Sequence, residues 1–325
     1  MTALARFLCA LLVVATMLAA AQASAQPSWP ERPIKLIVPF APGGSNDTLA
    51  RALATHLATR LAQPVIIENK GGGGGVIGID FVAKAQPDGY TLLLVSQSLT
   101  SITATGRKLP YDALKDLQPI GEIGTGEYAI VVSNSLEVRS LRDLIQLARA
   151  KPNRVSYGTS GIGGLNHLGT ELFAQAANVQ LVHVPYKGIG PAFTDLMGGT
   201  LDMALPSIAS VAQHIHSGKM RGLAVTGTSR SPLAPELPTV AEAGLPGFQL
   251  ETWWGLFGPA GLPANILTRL NRELNDILAL PAMRDLLGRE GVTPKPTRPD
   301  EFGALIRSDL ARWRKLITER QIQVE

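Results

Sequence analysis

The chain has 325 residues, 45% of them hydrophobic and 17% charged, enough for one large core or two moderate ones, and its length sets a prior of about two domains. Thirty Lys and Arg against 26 Asp and Glu leave a net charge of +4, spread along the chain, which argues against a nucleic-acid-binding protein. The single cysteine excludes intrachain disulfides and a zinc site built on several thiolates, and the 33 glycines follow no Gly-x-y period, which excludes collagen.

Residues 1–25 read as a secretory signal peptide. Arg6 supplies the positive start, residues 8–21 form an uncharged apolar run too short to span a membrane, and Ala23-Ser24-Ala25 is a small-x-small cleavage pattern. The only cysteine, Cys9, falls inside that run, so the exported chain is expected to begin at Gln26 with no thiol, as suits a bacterial periplasm. A strand is expected over 34–40, a loop over 41–47, and a helix marked by Leu49, Leu53, Leu57 and Leu61. A strand over 65–68, a glycine loop over 71–75, a helix over 76–85 and a strand over 91–95 complete a β-α-β-α-β series. Such a series implies a parallel sheet with right-handed crossovers.

A second β/α series is expected across 127–245. It has strands at 129–132, 155–157, 181–184, 201–205 and 222–226, and helices at 141–150, 167–176, 191–197 and 209–216. Residues 230–247 are rich in Pro and Gly and read as an excursion between domains. Helices follow at 266–278 and 281–287, and a last one carries Phe302, Leu305, Ile306, Leu310, Trp313 and Ile317 on one face.

Three glycine-rich stretches, 42–47, 71–75 and 158–164, each follow a strand and open a helix. Glycine permits positive φ and close approach of a ligand, and a helix N-terminus offers unpaired N–H groups with a partial positive charge. Together they suit an anion; alternatively, tight strand-to-helix turns simply require glycine. Gly73-x-Gly75-x-x-Gly78 matches the dinucleotide fingerprint, but the next strand ends in Ser96-Gln97-Ser98 without the acid that would hold a ribose. Around Ser160 the second glycine of a hydrolase elbow comes one place early. His214 and His216 are spaced wrongly for a shared metal, so neither metal nor cofactor is expected. His167 is the histidine placed nearest a ligand. Asp47 reads either as a helix cap or as a group orienting the glycine loop, and Trp253-Trp254 as core.

The stretches WPERPI at 29–34 and VPFAPGGSND at 38–47 resemble the opening motif of the substrate-binding proteins of the tripartite tricarboxylate transporter family, the Bug-type periplasmic receptors. So do VIIENKGGGGGVIG at 65–78, PDGYTL at 87–92, LPYD at 109–112, VPYKG at 184–188, PTVAEAG at 238–244 and PAG at 259–261, covering the chain beyond residue 28 in order. The resemblance implies an α/β fold of two Rossmann-like lobes, periplasmic-binding-protein-like, with a ligand cleft between them. Lobe 1 would comprise 26–126 and 246–325, lobe 2 residues 127–245. It implies a non-catalytic monomer that closes on a small mono-, di- or tricarboxylate and delivers it to membrane permease subunits.

Carried over residue by residue, the first-lobe contacts implied are Phe40, Ala41, Gly43, Gly44, Ser45 and Asp47, with Gly73, Gly74, Gly75, Ser96, Gln97 and Ser98. The second lobe would add Thr159, Ser160, Gly161, Gly163, Gly164, His167, Lys187, Pro206 and Ser207. The chain departs from the family pattern at Ile102-Thr103, where many relatives have Asn-Pro, and at Pro206. Both departures fall where the variable end of a ligand would sit. A hydrolase using Ser160 and a ligand sensor feeding a membrane kinase are the alternatives.

Overall fold

The computed structural model describes residues 29–186 and 188–322, so the expected signal peptide and Lys187 lie outside the described residues. The first sheet is built from β1 (Ile34–Val38), β2 (Val65–Asn69), β3 (Thr91–Ser96), β4 (Leu117–Glu127), β10 (Glu251–Pro259) and β11 (Val292–Pro294), in the order β11-β4-β10-β3-β1-β2. The second holds β5 (Ala129–Val132), β6 (Ser156–Thr159), β7 (Val182–Pro185), β8 (Met203–Ala204) and β9 (Arg221–Val225), in the order β7-β6-β8-β5-β9.

β1, β2 and β3 pair in parallel, as the alternation of strands and helices implies. Leu92, Leu93, Leu94 and Val95 are fully buried, the continuous apolar run of a strand covered on both faces. The covering helices include α1 (Ser45–Leu61), whose four leucines all face the core, and α2 (Val76–Ala83). Both sheets are mixed: β10 runs antiparallel to β3 and β4, and β5 antiparallel to β8 and β9. β4 escapes sequence reading because Pro119 and three glycines dilute it. Packing demands those glycines: a Cβ on Gly124 would lie 2.4 Å from the Thr293 carbonyl oxygen.

The second series adds α4 (Leu141–Ala150), α5 (Leu165–Ala177), α6 (Ile189–Gly198) and α7 (Ile208–His216). The chain leaves the first sheet through Tyr128 and returns between β9 and β10. Thr226 ties the two passages together. Its N–H donates to the Tyr128 carbonyl at 2.9 Å, its hydroxyl accepts from Tyr128 N–H at 2.9 Å, and that hydroxyl donates to the Leu250 carbonyl at 2.6 Å.

After α8 (Ala264–Ala279) and α9 (Pro281–Arg289), the last helix, α10 (Pro299–Glu319), straddles both units. Its Phe302 and Ile306 pack with Trp253 and Phe257 of the first sheet, while Leu310, Trp313 and Leu316 join the core around Tyr157 and Phe173. With 21 residues, about 31 Å of axis, it is too long for one core to cover. This last helix therefore packs on both units, while β10, β11, α8 and α9 stay with the first. Trp253 and Trp254 are buried, as expected.

Candidate functional site

A cavity of about 590 Å³ opens where the strand-to-helix loops of the two sheets meet, with Tyr128 of the passage between them in its wall. That is the size range of a small-molecule site. From the first unit its wall takes Phe40, Asn46, Gly73, Gly74, Ser96 and Ser98, then Ser101, Ile102, Thr105 and Arg107. From the second come residues 160–166, with Ile189, Pro206, Ser207 and Ser210. α3 (Ser98–Ala104) lies along this wall: Ser98, Ser101, Ile102 and Thr105 recur at the spacing of one helix face.

The two large helices enter the site through the same local device. Gly43-Gly44-Ser45-Asn46-Asp47 opens α1 and Gly163-Gly164-Leu165-Asn166-His167 opens α5. In each, the first glycine has positive φ, 92° at Gly43 and 75° at Gly163, and the second is an extended N-cap. In each, the fifth residue reaches back to the first. Gly43 N–H donates to Asp47 Oδ2 at 3.0 Å, and Gly163 N–H donates to His167 Nδ1 at 3.0 Å. The N–H groups of the first helical turn lack intrahelical partners, and the dipole of each helix favours negative charge there.

Asp47 and His167 thus shape the loops from behind and do not line the cavity. The Asp47 carboxylate also accepts from Arg51, at 2.9 and 3.0 Å, and from Asn69 Nδ2 at 3.0 Å. The Arg51 guanidinium, with help from Gly43 N–H and Asn69, holds its carboxyl down to about 2 against the opposing effect of burial. Asp47→Ala is expected to cost about 1–2 kcal/mol at neutral pH in urea denaturation. The folded carboxyl titrates below the unfolded one. That stability is complete above the unfolded value, near 3.9, and fades as pH falls toward 2, where wild type and variant should converge.

Of the other expected contacts, Ala41, Gly43, Gly44 and Ser45 are exposed but outside the cavity wall. Gly75 packs under the Phe40 ring, 3.3 Å from where its Cβ would stand. The Gln97 side chain turns inward and donates to Asp309 Oδ1 at 2.7 Å. Thr159 is fully buried and shares a 2.6 Å hydrogen bond with His183 Nε2. Phe40, Gly73, Gly74, Ser96, Ser98, Ser160, Gly161, Gly163, Gly164, Pro206 and Ser207 do line the cavity.

Sequence reasoning placed Ile102 near the ligand, and Ile102 does line the cavity, but it passed over Asn46, Asn166 and Tyr128 as lining residues, and Ser101, Thr105 and Arg107 along and beyond α3. The recurrent Gly-Gly-x-Asn was the available signal for the two asparagines. Asn46 Oδ1 is buried with no partner among the described residues, whereas Asn166 Oδ1 accepts from the Ser160 hydroxyl at 3.1 Å. That bond commits the Ser160 hydroxyl to an amide, not to a histidine base. Among the described residues, the cavity wall holds no aspartate or glutamate and a single cation, Arg107.

Residues 49–322 match the model of the tripartite tricarboxylate transporter family receptor. The chain belongs to this receptor family. Protein BugT of Bordetella pertussis is 39% identical over 310 residues, covering 94% of each chain. Among solved structures, an R. palustris protein with adipate is 34% identical with a TM-score of 0.79, covering 89% of this chain and 97% of that one. MatC of Rhodopseudomonas palustris with bound malate is 29% identical with a TM-score of 0.75, covering 89% of this chain and all of the other. The receptor fold, two α/β units with the cavity at their loops, is the one the motifs imply. Family membership makes this chain a solute-binding receptor rather than an enzyme, which disposes of the hydrolase alternative.

Proposed function

We propose that this protein is a periplasmic receptor, exported by cleavage after Ala25 and acting as a monomer. It captures a small organic acid by its carboxylate and hands it to membrane permease subunits. The observation that carries the reading is the cavity wall: the N-terminus of α5, Asn46 from the first turn of α1, several hydroxyls and one arginine, with no acid among the described residues. An anion placed there meets N–H and O–H donors and no like charge. A ligand ammonium would find no carboxylate among those residues, so simple acids bind in preference to amino acids. Relatives solved with adipate and malate support the choice of a carboxylate.

A thermal-shift screen of mono-, di- and tricarboxylates, followed by native mass spectrometry of the best, tests this. A ligand at about 100 times its Kd stabilises the folded state by roughly 2.7 kcal/mol, which should raise Tm by several degrees and leave the acid chemically unchanged. A panel in which no carboxylate shifts Tm while an amine or a neutral sugar does would sink the proposal.

A further inference from the structure

We infer that Arg107 is a specificity-determining residue that pairs with a second anionic group, so that the ligand is an extended dicarboxylate. This rests on the carboxylate reading above and names the class of acid. Arg107 is exposed, lines the cavity, and makes no ion pair with any described residue. Its backbone is nonetheless fixed. The Thr105 hydroxyl donates to the Ile102 carbonyl at 2.7 Å and accepts from Arg107 N–H at 3.4 Å, while Gly106 takes φ of 74° to turn the chain. A guanidinium at a cavity wall, on a backbone so fixed and with no carboxylate among the described residues to meet it, is a site for one, and its planar fork suits bidentate pairing.

α3 acts as the spacer. Ser96 and Ser98 lie at its N-terminal end and Arg107 just past its C-terminal end, all three in the same wall. At 1.5 Å per residue the two ends are separated by on the order of 10 Å. Beside the Ser101 and Thr105 hydroxyls of α3, the same wall carries Phe40, Ile102, Ile162, Leu165 and Ile189, apolar surface suited to methylenes or a ring. The C-terminal end of a helix exposes carbonyl oxygens that disfavour an anion. Arg107 reverses that sign locally. Without it, this end of the cavity would accept an apolar terminus instead.

Isothermal titration of the full exported chain with succinate, adipate, suberate and sebacate, against hexanoate and octanoate, tests the assignment. Affinity should rise from succinate to suberate, and suberate should bind more tightly than octanoate. Arg107→Ala should weaken suberate by roughly 10- to 100-fold while changing octanoate by less than about 3-fold, and Arg107→Lys should fall between. The advantage of suberate over octanoate should shrink at high salt. Equal losses for suberate and octanoate, or none for either, would overturn the inference. So would a wild-type preference for monocarboxylates, which leaves the carboxylate reading intact. Failure of every acid to bind the wild type would instead remove that reading itself.

Discussion

Asp309→Ala is expected to lower the unfolding free energy by roughly 3–5 kcal/mol in urea denaturation, the cost of removing the acceptor at the centre of a buried polar cluster. Asp309 is 6% exposed. Its carboxyl accepts from Gln97 Nε2 at 2.7 Å, from Trp253 Nε1 at 3.2 Å and from the Thr100 hydroxyl. Burial pushes its pKa up, and the three donors oppose that shift. Alanine would leave the Gln97 and Trp253 donors unpaired, while the Thr100 hydroxyl keeps the Gln97 carbonyl as an acceptor at 2.9 Å. The position matters as much as the bonds. Asp309 stands on α10 between Ile306, in the first unit's core, and Leu310, in the second's. Through Gln97 and Thr100 it holds the start of α3, the helix that lines the cavity. Asp309→Asn keeps the shape and one good acceptor, so it should cost about 1–2 kcal/mol yet still weaken ligand binding by misplacing Ser96 and Ser98. A loss below about 1 kcal/mol for Asp309→Ala would show that the cluster is not a structural node.

What the sequence makes legible follows from which faces are apolar. The parallel strands β1 and β3 and the leucine face of α1 are visible because each buries a regular hydrophobic set. α3 is invisible for the converse reason. Its periodic face is Ser98, Ser101 and Thr105, with only Ile102 apolar, because it faces a cavity rather than a core. β4 and its antiparallel partner β10 are obscured by glycines that long-range packing requires: a Cβ on Gly255 would lie 2.1 Å from the Phe302 ring. No local pattern announces a partner so far along the chain. The glycine loops are correctly placed as strand-to-helix turns, but their chemistry is displaced by one layer. Asp47 and His167 carry polar groups that suggest a ligand, but each accepts from the backbone of its own loop, Asp47 also from Arg51 and Asn69.

Between pH 7 and pH 4 the second unit's histidine stack should contribute a loss of roughly 2 kcal/mol of stability, which a variant lacking the stack does not suffer. The His167 and His183 rings stack at 3.9 Å, and Tyr157 continues the stack at 4.9 Å from His183. Burial lowers both histidines. His183 is brought to about 4, with the neighbouring His167 adding to the effect. Glu171, bonded to the Tyr157 hydroxyl at 2.6 Å and paired with Arg320 at 2.8 Å, pulls the other way and is outweighed. The folded state therefore binds fewer protons than the unfolded chain. Stability is complete above the unfolded histidine value, near 6.5, and declines as pH falls toward 4. Each tenfold loss of proton affinity on folding is worth about 1.4 kcal/mol, discounted here because the His183 ring keeps some contact with solvent. The stack is linked to the cavity because His167 Nδ1 must be unprotonated to accept from Gly163 N–H. Acid thus removes the support of the loop at Gly161–Gly164 along with the stability. His167→Asn offers an acceptor that does not titrate, and His183→Gln keeps a partner for Thr159. In urea melts from pH 7 to pH 4 the double variant should have a flatter profile than wild type, and matching slopes would place the acid sensitivity elsewhere.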